Sequence, residues 1–218
     1  MLRESKGNMY DWITHTWNPI KGKCPHDCSY CYMKRFGEQK PLRLDEKELR
    51  TDLGSGNFIF VGSSTDMVAD EIPMEWIDRV VHMCHSDNNF LFQTKNPSRF
   101  HEVNADFPHS TSFCTTIETN RLYPEVMRNC PTPQDRAYWL GGLVGPNYVT
   151  IEPIMDFDLV PMIELIKQCE PIQVNIGADS GNNHLPEPSR EKLLELIEEL
   201  GKFTTIARKS NLGRILCS

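Results

Sequence analysis

Short apolar runs recur along the chain and alternate with longer stretches that have helical spacing. The runs occupy residues 58–61, 90–94, 111–117, 148–151, 172–176 and 203–207, and one more, at 10–16, precedes them. Their content of β-branched and aromatic residues is typical of strands. Strands that alternate with helices in this way predict an α/β fold whose strands run parallel.

Three of the intervening stretches carry apolar residues at helical spacing between start and stop signals. Helices are predicted over residues 74–85, after Asp158 as an N-cap, and over residues 189–201. The residues that mark their buried faces are Ile77, Val80, Val81 and Cys84, then Val160, Ile163, Ile166 and Cys169, then Leu193, Leu194, Ile197 and Leu200.

The length of the chain limits which α/β architecture it builds. A complete eight-stranded α/β barrel takes about 250 residues, whereas this chain has 218. We therefore expect one domain over residues 1–218, a partial (β/α)6-7 TIM-like barrel with a cysteine loop after its first strand. A doubly wound open sheet is the alternative. Both architectures place their functional groups at the carboxyl ends of the strands.

Charge and hydropathy limit where in the cell this protein is expected and which classes of partner it is expected to bind. No apolar stretch reaches the roughly 20 residues of a membrane span, and none near the start has signal-peptide length. We therefore expect a cytoplasmic protein with no membrane partner. The 23 basic and 30 acidic side chains give a formal net charge of −7, which does not favour nucleic acid but leaves a local basic patch open.

Three of the eight cysteines stand close together. Cys24, Cys28 and Cys31 have the spacing CxxxCxxC, and the other five are scattered. In a reducing cytosol, clustered cysteines bind metal or do chemistry more often than they form disulfides. The scattered ones are expected to be small buried hydrophobic residues, except for an exposed thiol at Cys217.

Three thiolates on one loop suit an open iron–sulfur cubane. They hold three irons and leave the fourth for a ligand that is not protein. Structural zinc needs four protein ligands. The candidates for the fourth are His26, His15 and distant cysteines, and His26 lies between two of the loop cysteines, where it is difficult to close a chelate ring around the metal. An open cluster is favoured, with zinc or no metal as alternatives.

The cysteine loop resembles that of a known superfamily. Its spacing, with the aromatic Tyr30 before the last cysteine, is similar to the cluster loop of radical S-adenosylmethionine (SAM) enzymes. The Thr-Trp-Asn-Pro string at 16–19 and the Cys-Tyr pair at 31–32 resemble a narrower group, the phage and prokaryotic Gp37/Gp68-like family (DUF5131), and more distantly the spore photoproduct lyases. Further similar stretches end predicted strands, at residues 61–66, 94–97, 151–153 and 176–181.

The resemblance implies a radical SAM enzyme. Cys24, Cys28 and Cys31 would bind a 4Fe-4S cluster whose fourth iron is chelated by SAM, and Tyr30 would contact the adenine side of that cofactor. One electron, from an external reductant of the flavodoxin or ferredoxin type, would release methionine and a 5′-deoxyadenosyl radical that abstracts hydrogen from a substrate.

The resemblance also implies which strand-end groups hold SAM. They are Gly62, Ser63, Ser64, Thr65 and Asp66 for the amino group, Lys95 for the carboxylate, Thr116 and Glu118 for the ribose, and Glu152 and Asp179 for ribose or substrate. The family usually has glutamate where Asp179 stands. The residues alone are equally consistent with structural roles. These are a helix-capping turn at 62–66, a solvated Lys95, and a pairing of Glu152 with Arg208 or Lys209.

The motifs specify the substrate and the outcome of the reaction less closely than they specify the cofactor site. A partial barrel leaves its lateral opening free, so we expect a macromolecule or a nucleotide-derived group as the substrate. Among the scattered cysteines Cys114 is the candidate for a hydrogen donor of the kind that spore photoproduct lyases use. The rival readings are a zinc-stabilised binding protein without catalysis, which predicts a colourless protein, and an iron–sulfur sensor, which predicts a cluster without SAM cleavage.

Overall fold

A computed structural model of the chain describes residues 2–7, 9–84, 87–103 and 106–217. The strands are β1 (Arg3–Glu4), β2 (His15–Trp17), β3 (Ile20–Lys21), β4 (Arg43–Leu44), β5 (Phe58–Val61), β6 (Asn89–Thr94), β7 (Thr111–Thr116), β8 (Asn147–Ile151), β9 (Gln173–Ile176) and β10 (Thr205–Arg208). Eight of them form one sheet in the order β1-β2-β5-β6-β7-β8-β9-β10, and β3 pairs with β4 separately. In the eight-stranded sheet, all pairs from β2 to β10 are parallel and β1 is antiparallel on the edge, and the separate β3–β4 pair is antiparallel. The predicted α/β fold with a mostly parallel sheet is confirmed.

The first predicted strand begins later than the sequence pattern suggested. Residues 10–13 form a turn, closed by a hydrogen bond from the Ile13 amide to the Tyr10 carbonyl, and β2 starts only at His15. The side chains of Tyr10 and Ile13 are buried against Phe60 and other residues of the sheet. The apolar content of this run therefore reflects a turn that covers the sheet, not a strand within it.

Alternation along the strands gives the sheet two buried faces. On one face, Ile59, Val61 and Phe92 join the large core that the helices cover. On the other face, Phe60 and Leu91 lie beneath Tyr10 in a smaller cluster. Both faces are apolar, which is the pattern expected of a covered parallel sheet.

The sheet is strongly curved around the smaller cluster. Tyr10 packs on Phe60 in β5 with ring centroids 6.3 Å apart, and the ammonium group of Lys209, just after β10, lies 4.7 Å from the same ring. Neighbouring strands are about 4.8 Å apart, so in a flat sheet β5 and β10 would be more than 20 Å apart. Curvature brings the carboxyl ends of these two strands toward one centre.

Within the residues that the structure describes, six α-helices accompany the sheet, and four short 3₁₀ segments lie between elements. The helices are α1 (Met74–His82), α2 (Pro124–Met127), α3 (Pro133–Gly141), α4 (Leu159–Gln168), α5 (Arg190–Leu200) and α6 (Gly213–Leu216). Of the predicted signals, Ser189 caps α5 by accepting a hydrogen bond from the Lys192 amide, and Gly201 ends that helix. His85, the predicted end of the first helix, lies outside the described residues. In the described part of the chain, no helix is long and apolar enough to cross a membrane.

Candidate functional site

A cavity of about 1340 Å³ opens at the carboxyl ends of the parallel strands, where the cysteine loop covers them. Most of the predicted site residues line it: Cys24, Cys28, Tyr30, Cys31, Gly62, Ser63, Ser64, Thr65, Asp66, Lys95, Thr116, Glu152 and Asp179. Glu118 and Cys114 are fully buried and are not among the lining residues. The topology thus brings together residues that are up to 155 positions apart in the chain.

The turn at 62–66 holds the cysteine loop in place. Gly62 has a φ of +77°, which lets the chain reverse directly after β5. The Thr65 hydroxyl then donates to the Gly22 carbonyl at 2.8 Å, and the Ser64 amide donates to the Asn18 side chain at 2.9 Å. The Tyr32 hydroxyl donates to the Ser63 carbonyl at 3.0 Å. Much of the polar capacity of this turn is therefore used on the loop itself.

Asp66 anchors the loop through His26. Its carboxylate is 2.9 Å from Nε2 of His26 and also accepts from the Thr94 hydroxyl at 3.0 Å and the Lys95 amide at 2.8 Å. Burial disfavours both charges, but their mutual attraction outweighs it and lowers the pKa of Asp66 while it raises the pKa of His26. The sequence pattern does not reveal this pair, because its members are 40 residues apart.

Glu118 lies behind the cavity wall in a buried ionic cluster. Its carboxylate is 2.7 Å from Arg136 of α3, both side chains are fully buried, and it accepts a hydrogen bond from the Tyr30 hydroxyl. The ammonium group of Lys95 lies 3.9 Å from it. Burial opposes the charge of Lys95, but the neighbouring Cys28 and Glu118 raise its pKa above the ordinary value, so this lysine is a partly buried cation beside the cysteine loop.

Glu152 pairs with Lys209 at 2.5 Å, and the Asn211 amide donates to it at 3.0 Å. Of the two cations considered for this glutamate, Lys209 is thus the partner. Gly177, directly after β9, makes room for Glu152, since a Cβ there would lie 2.6 Å from its Oε1. Asp179 accepts from the Gly181 amide at 2.9 Å and from the Asn183 side chain at 2.6 Å, which shapes the turn after β9.

One of the scattered cysteines belongs to the site. The sulfur atoms of Cys130 and Cys28 are 3.4 Å apart, so the expectation that Cys130 is only a buried hydrophobic residue is wrong. A hydrogen bond from Cys130 lowers the pKa of Cys28, whereas burial raises the pKa of Cys24 to about 12. Cys84, Cys114 and Cys169 are buried, and Cys217 is exposed, as predicted.

The residues present suit a thiolate-bound group. The three cysteines of CxxxCxxC line one cavity, and the partly buried Lys95 cation beside Cys28 offsets the charge of ionised thiols. In the described ranges, no group of three or more His, Cys, Asp or Glu side chains is close enough to hold a metal ion. The donor chemistry fits an iron–sulfur cluster, and the ligation itself stays a prediction.

Cys114 occupies a different environment from the cavity. It lies in the small cluster beneath Tyr10 on the concave face of the sheet, and burial raises its pKa to about 12. Its predicted part as a hydrogen donor stays a prediction.

Solved structures with a similar fold include spore photoproduct lyases. One variant matches with a TM-score of 0.66 and 13% identity over 93% of this chain and 78% of its own. Another, with bound AdoMet and dinucleoside spore photoproduct, matches with a TM-score of 0.61 and 14% identity over 90% of this chain. This chain spans 64% of the length of that second protein. At such identities the similarity concerns the fold.

No curated protein matches the chain. A family model does match it, over residues 8–184, and its description is protein of unknown function (DUF5131). That range contains the cysteine loop and every strand end that lines the cavity up to Asp179. The chain belongs to the DUF5131 family.

Proposed function

We propose that this protein is a radical SAM enzyme built on a partial (β/α)6-7 barrel. The observation that carries the proposal is the placement of Cys24, Cys28 and Cys31 on one wall of a cavity whose other walls are polar strand ends. The fold, similar to that of spore photoproduct lyases, supports the same reading. The curvature around Tyr10 supports the barrel.

In this proposal Cys24, Cys28 and Cys31 hold a 4Fe-4S cluster. Such a cluster supplies one electron, received from an external flavodoxin- or ferredoxin-type donor, that cleaves SAM to methionine and a 5′-deoxyadenosyl radical for hydrogen abstraction. Lys95, a cation held beside Cys28, is proposed to bind the SAM carboxylate. Tyr30 is fixed by Glu118 and forms a wall for the adenine.

The remaining site residues divide into those proposed to bind SAM and those that hold the cysteine loop or Tyr30 in place. Ser63, Ser64, Thr116, Glu152 and Asp179 line the cavity and are proposed to bind the amino group and the ribose of SAM. Asp66 and Glu118 are proposed to act as positioning residues, because their carboxylates are already engaged by His26 and Arg136. Gly62 and Thr65 complete the turn that holds the loop.

The substrate proposed is a nucleotide group carried by a nucleic acid. Phe36 is 72% exposed at the mouth of the cavity, where Tyr32 packs edge-on against it and offers an aromatic platform for a base. Exposed cations at the same mouth, without an ion pair in the described part of the chain, include Arg3, Lys6, Lys40 and Arg43. The fold neighbours that hold a dinucleoside photoproduct support this substrate class.

The first experiment tests the radical chemistry. The chain is reconstituted anaerobically with iron and sulfide, reduced with dithionite, and studied by electron paramagnetic resonance with and without SAM, with chromatography for 5′-deoxyadenosine. We expect a reduced-cluster signal that shifts when SAM is added, and 5′-deoxyadenosine that disappears in Cys28→Ala. The matched control is Cys84→Ala, a buried cysteine in the core away from the cavity, which should keep both. A colourless protein with one zinc would contradict the proposal.

A second candidate function gains support from Cys130. Its sulfur, 3.4 Å from that of Cys28, offers the fourth thiol that zinc or a closed cluster requires. The protein would then be a zinc-stabilised binding protein or an iron–sulfur sensor without SAM cleavage. Metal analysis distinguishes this second candidate from the radical SAM enzyme, because Cys130→Ser would release the metal from a four-thiol site but not from a three-thiol site.

A further inference from the structure

The cysteine loop and the segment that ends at Cys130 are joined along a seam. The seam consists of residues 25–29 and 126–130, and its backbone contacts include Ser29 N to Val126 O at 2.9 Å and Asn129 N to His26 O at 3.3 Å. The Asn129 side chain also donates to the Pro25 carbonyl at 3.0 Å. An ion pair between Arg128 and Asp27 closes the outer side. The two segments of the seam are therefore held in a fixed register relative to each other.

This register places two thiols against each other. Cys28 and Cys130 have their sulfur atoms 3.4 Å apart, at van der Waals contact. A disulfide has an S–S distance of about 2.05 Å, so the sulfurs need to approach by roughly 1.4 Å. Cys28 lines the large cavity and Cys130 is partly exposed, so a small oxidant reaches the pair from solution.

Two other buried cysteines, each just past the end of a helix, differ in this respect. The thiols of Cys84 and Cys169 contact backbone carbonyls of α1 and α4, at 3.4 Å from Val80 O and 3.6 Å from Leu165 O. Both are fully buried. They serve as internal controls, because they have neither a sulfur neighbour among the described residues nor a path to solvent.

We propose that Cys28 and Cys130 form a reversible disulfide when the metal-free chain meets a low-molecular-weight disulfide. The bond removes Cys28 from the CxxxCxxC set and blocks iron loading until a thiol reduces it. The seam thus makes the cysteine loop redox-sensitive. The disulfide rests on the observed contact alone, whereas its effect on iron loading rests also on the proposed cluster.

The chemistry is two successive thiol–disulfide exchanges. One protein thiol, as its thiolate, attacks a sulfur of oxidised glutathione, forms a mixed disulfide and expels one glutathione thiolate. The second protein thiol then attacks the protein sulfur of that mixed disulfide and expels the second glutathione. The two cysteines are oxidised by two electrons, the glutathione disulfide is reduced to two thiols, and the two protein protons pass to them.

The test uses the full chain, reduced, stripped of metal with a chelator and treated anaerobically with oxidised glutathione. Mass spectrometry of a non-reducing digest should find a peptide pair joined through Cys28 and Cys130, with two thiols lost per chain. Cys130→Ser should give no such pair, and Cys84→Ser should behave as the wild type. Circular dichroism melts of both variants check that they fold.

Other products would overturn the proposal. These are a bond between Cys28 and Cys24 or Cys31, glutathione adducts without an internal bond, or an unmodified chain. Iron uptake from ferrous iron and sulfide should fall at least tenfold in the oxidised wild type and return after dithiothreitol; unchanged uptake would overturn the blocking role. A reduced chain that takes up no iron would contradict the proposed function and the blocking role. The disulfide itself is tested independently by the mass spectrometry of the digest.

Discussion

The side chains of Arg136 and Glu118 show how single residues support the cavity without touching it. They form an ion pair at 2.7 Å, and neither is exposed to solvent. Arg136 also donates to the Pro131 and Thr116 carbonyls at 2.8 and 2.9 Å. The pair thereby fixes the carboxylate that holds Tyr30 and faces Lys95. Because a buried charge without its partner is costly, each member depends on the other.

We expect Arg136→Met to lower the free energy of unfolding by about 3–5 kcal/mol, because it leaves Glu118 buried without its main counter-charge. Urea denaturation measures the change. Adding Glu118→Gln in the same chain should recover part of the loss, since the charge that lacked a partner is then gone. The exposed pair Arg79 and Glu46 provides the control, and Arg79→Met should change stability little. Equal losses in both single variants would contradict the argument.

At the scale of elements, the contact between α3 and α4 depends on a residue without a side chain. Gly141 ends α3, and a Cβ built on it would lie 2.1 Å from the carbonyl oxygen of Gln168 at the end of α4. Backbone atoms of a packed helix do not yield as a flexible side chain does. The two helices approach closely here, and α3 carries Arg136 toward the site.

Gly141→Ala should therefore destabilise the protein by about 1–3 kcal/mol, through a forced shift of α3 against α4. Thermal or urea unfolding measures the change. Gly213→Ala is the matched control, because Gly213 begins α6 with a φ of −52° and a Cβ there meets nothing within 4 Å. It should be neutral or stabilising by up to about 1 kcal/mol. A Gly141→Ala variant as stable as the control would refute the close contact.

For the molecule as a whole, the balance of charges that line the cavity is opposite in sign to the net charge of the chain. The chain has 23 basic and 30 acidic side chains, yet the cavity is lined by more bases than acids. The lining cations are Arg3, Lys6, Lys21, Arg35, Lys40, Arg43, Lys95 and Lys209, and the lining carboxylates are Glu4, Glu38, Glu48, Asp66, Glu152 and Asp179. A local positive field in an acidic protein attracts anions to the cavity and repels them elsewhere.

Binding of a fluorescent single-stranded oligonucleotide tests this field. The double variant Lys40→Gln/Arg43→Gln should weaken binding roughly tenfold in low salt and reduce the slope of log affinity against log salt by about 1.4, because two phosphate contacts are lost. Fluorescence anisotropy measures both quantities. Lys47→Gln/Arg50→Gln, which removes the same charge from residues outside the cavity, should have little effect. Equal weakening by both doubles would indicate a general charge effect and refute a site at the mouth.

Much of the fold follows from local pattern. Strand β5 is found where its apolar run lies, and β6 to β10 match their runs within two residues. The helix after Asp158 forms as predicted, but Met162 and Leu165 are buried with Ile166 while Val160 is 62% exposed. The apolar run that contains α4 fits more than one helical face, so the sheet against which the helix packs decides which one is buried.

The sequence by itself determined the α/β repeat, the parallel strands, the cysteine loop and the strand ends that face a common cavity. These follow from periodicity and spacing, which are local and survive in the linear chain. Only the tertiary structure decided the partners: Asp66 with His26, Glu118 with Arg136, Glu152 with Lys209, and Cys28 with Cys130. Each pair joins residues between 18 and 102 positions apart, and such contacts arise from how the elements pack, which spacing along the chain does not encode.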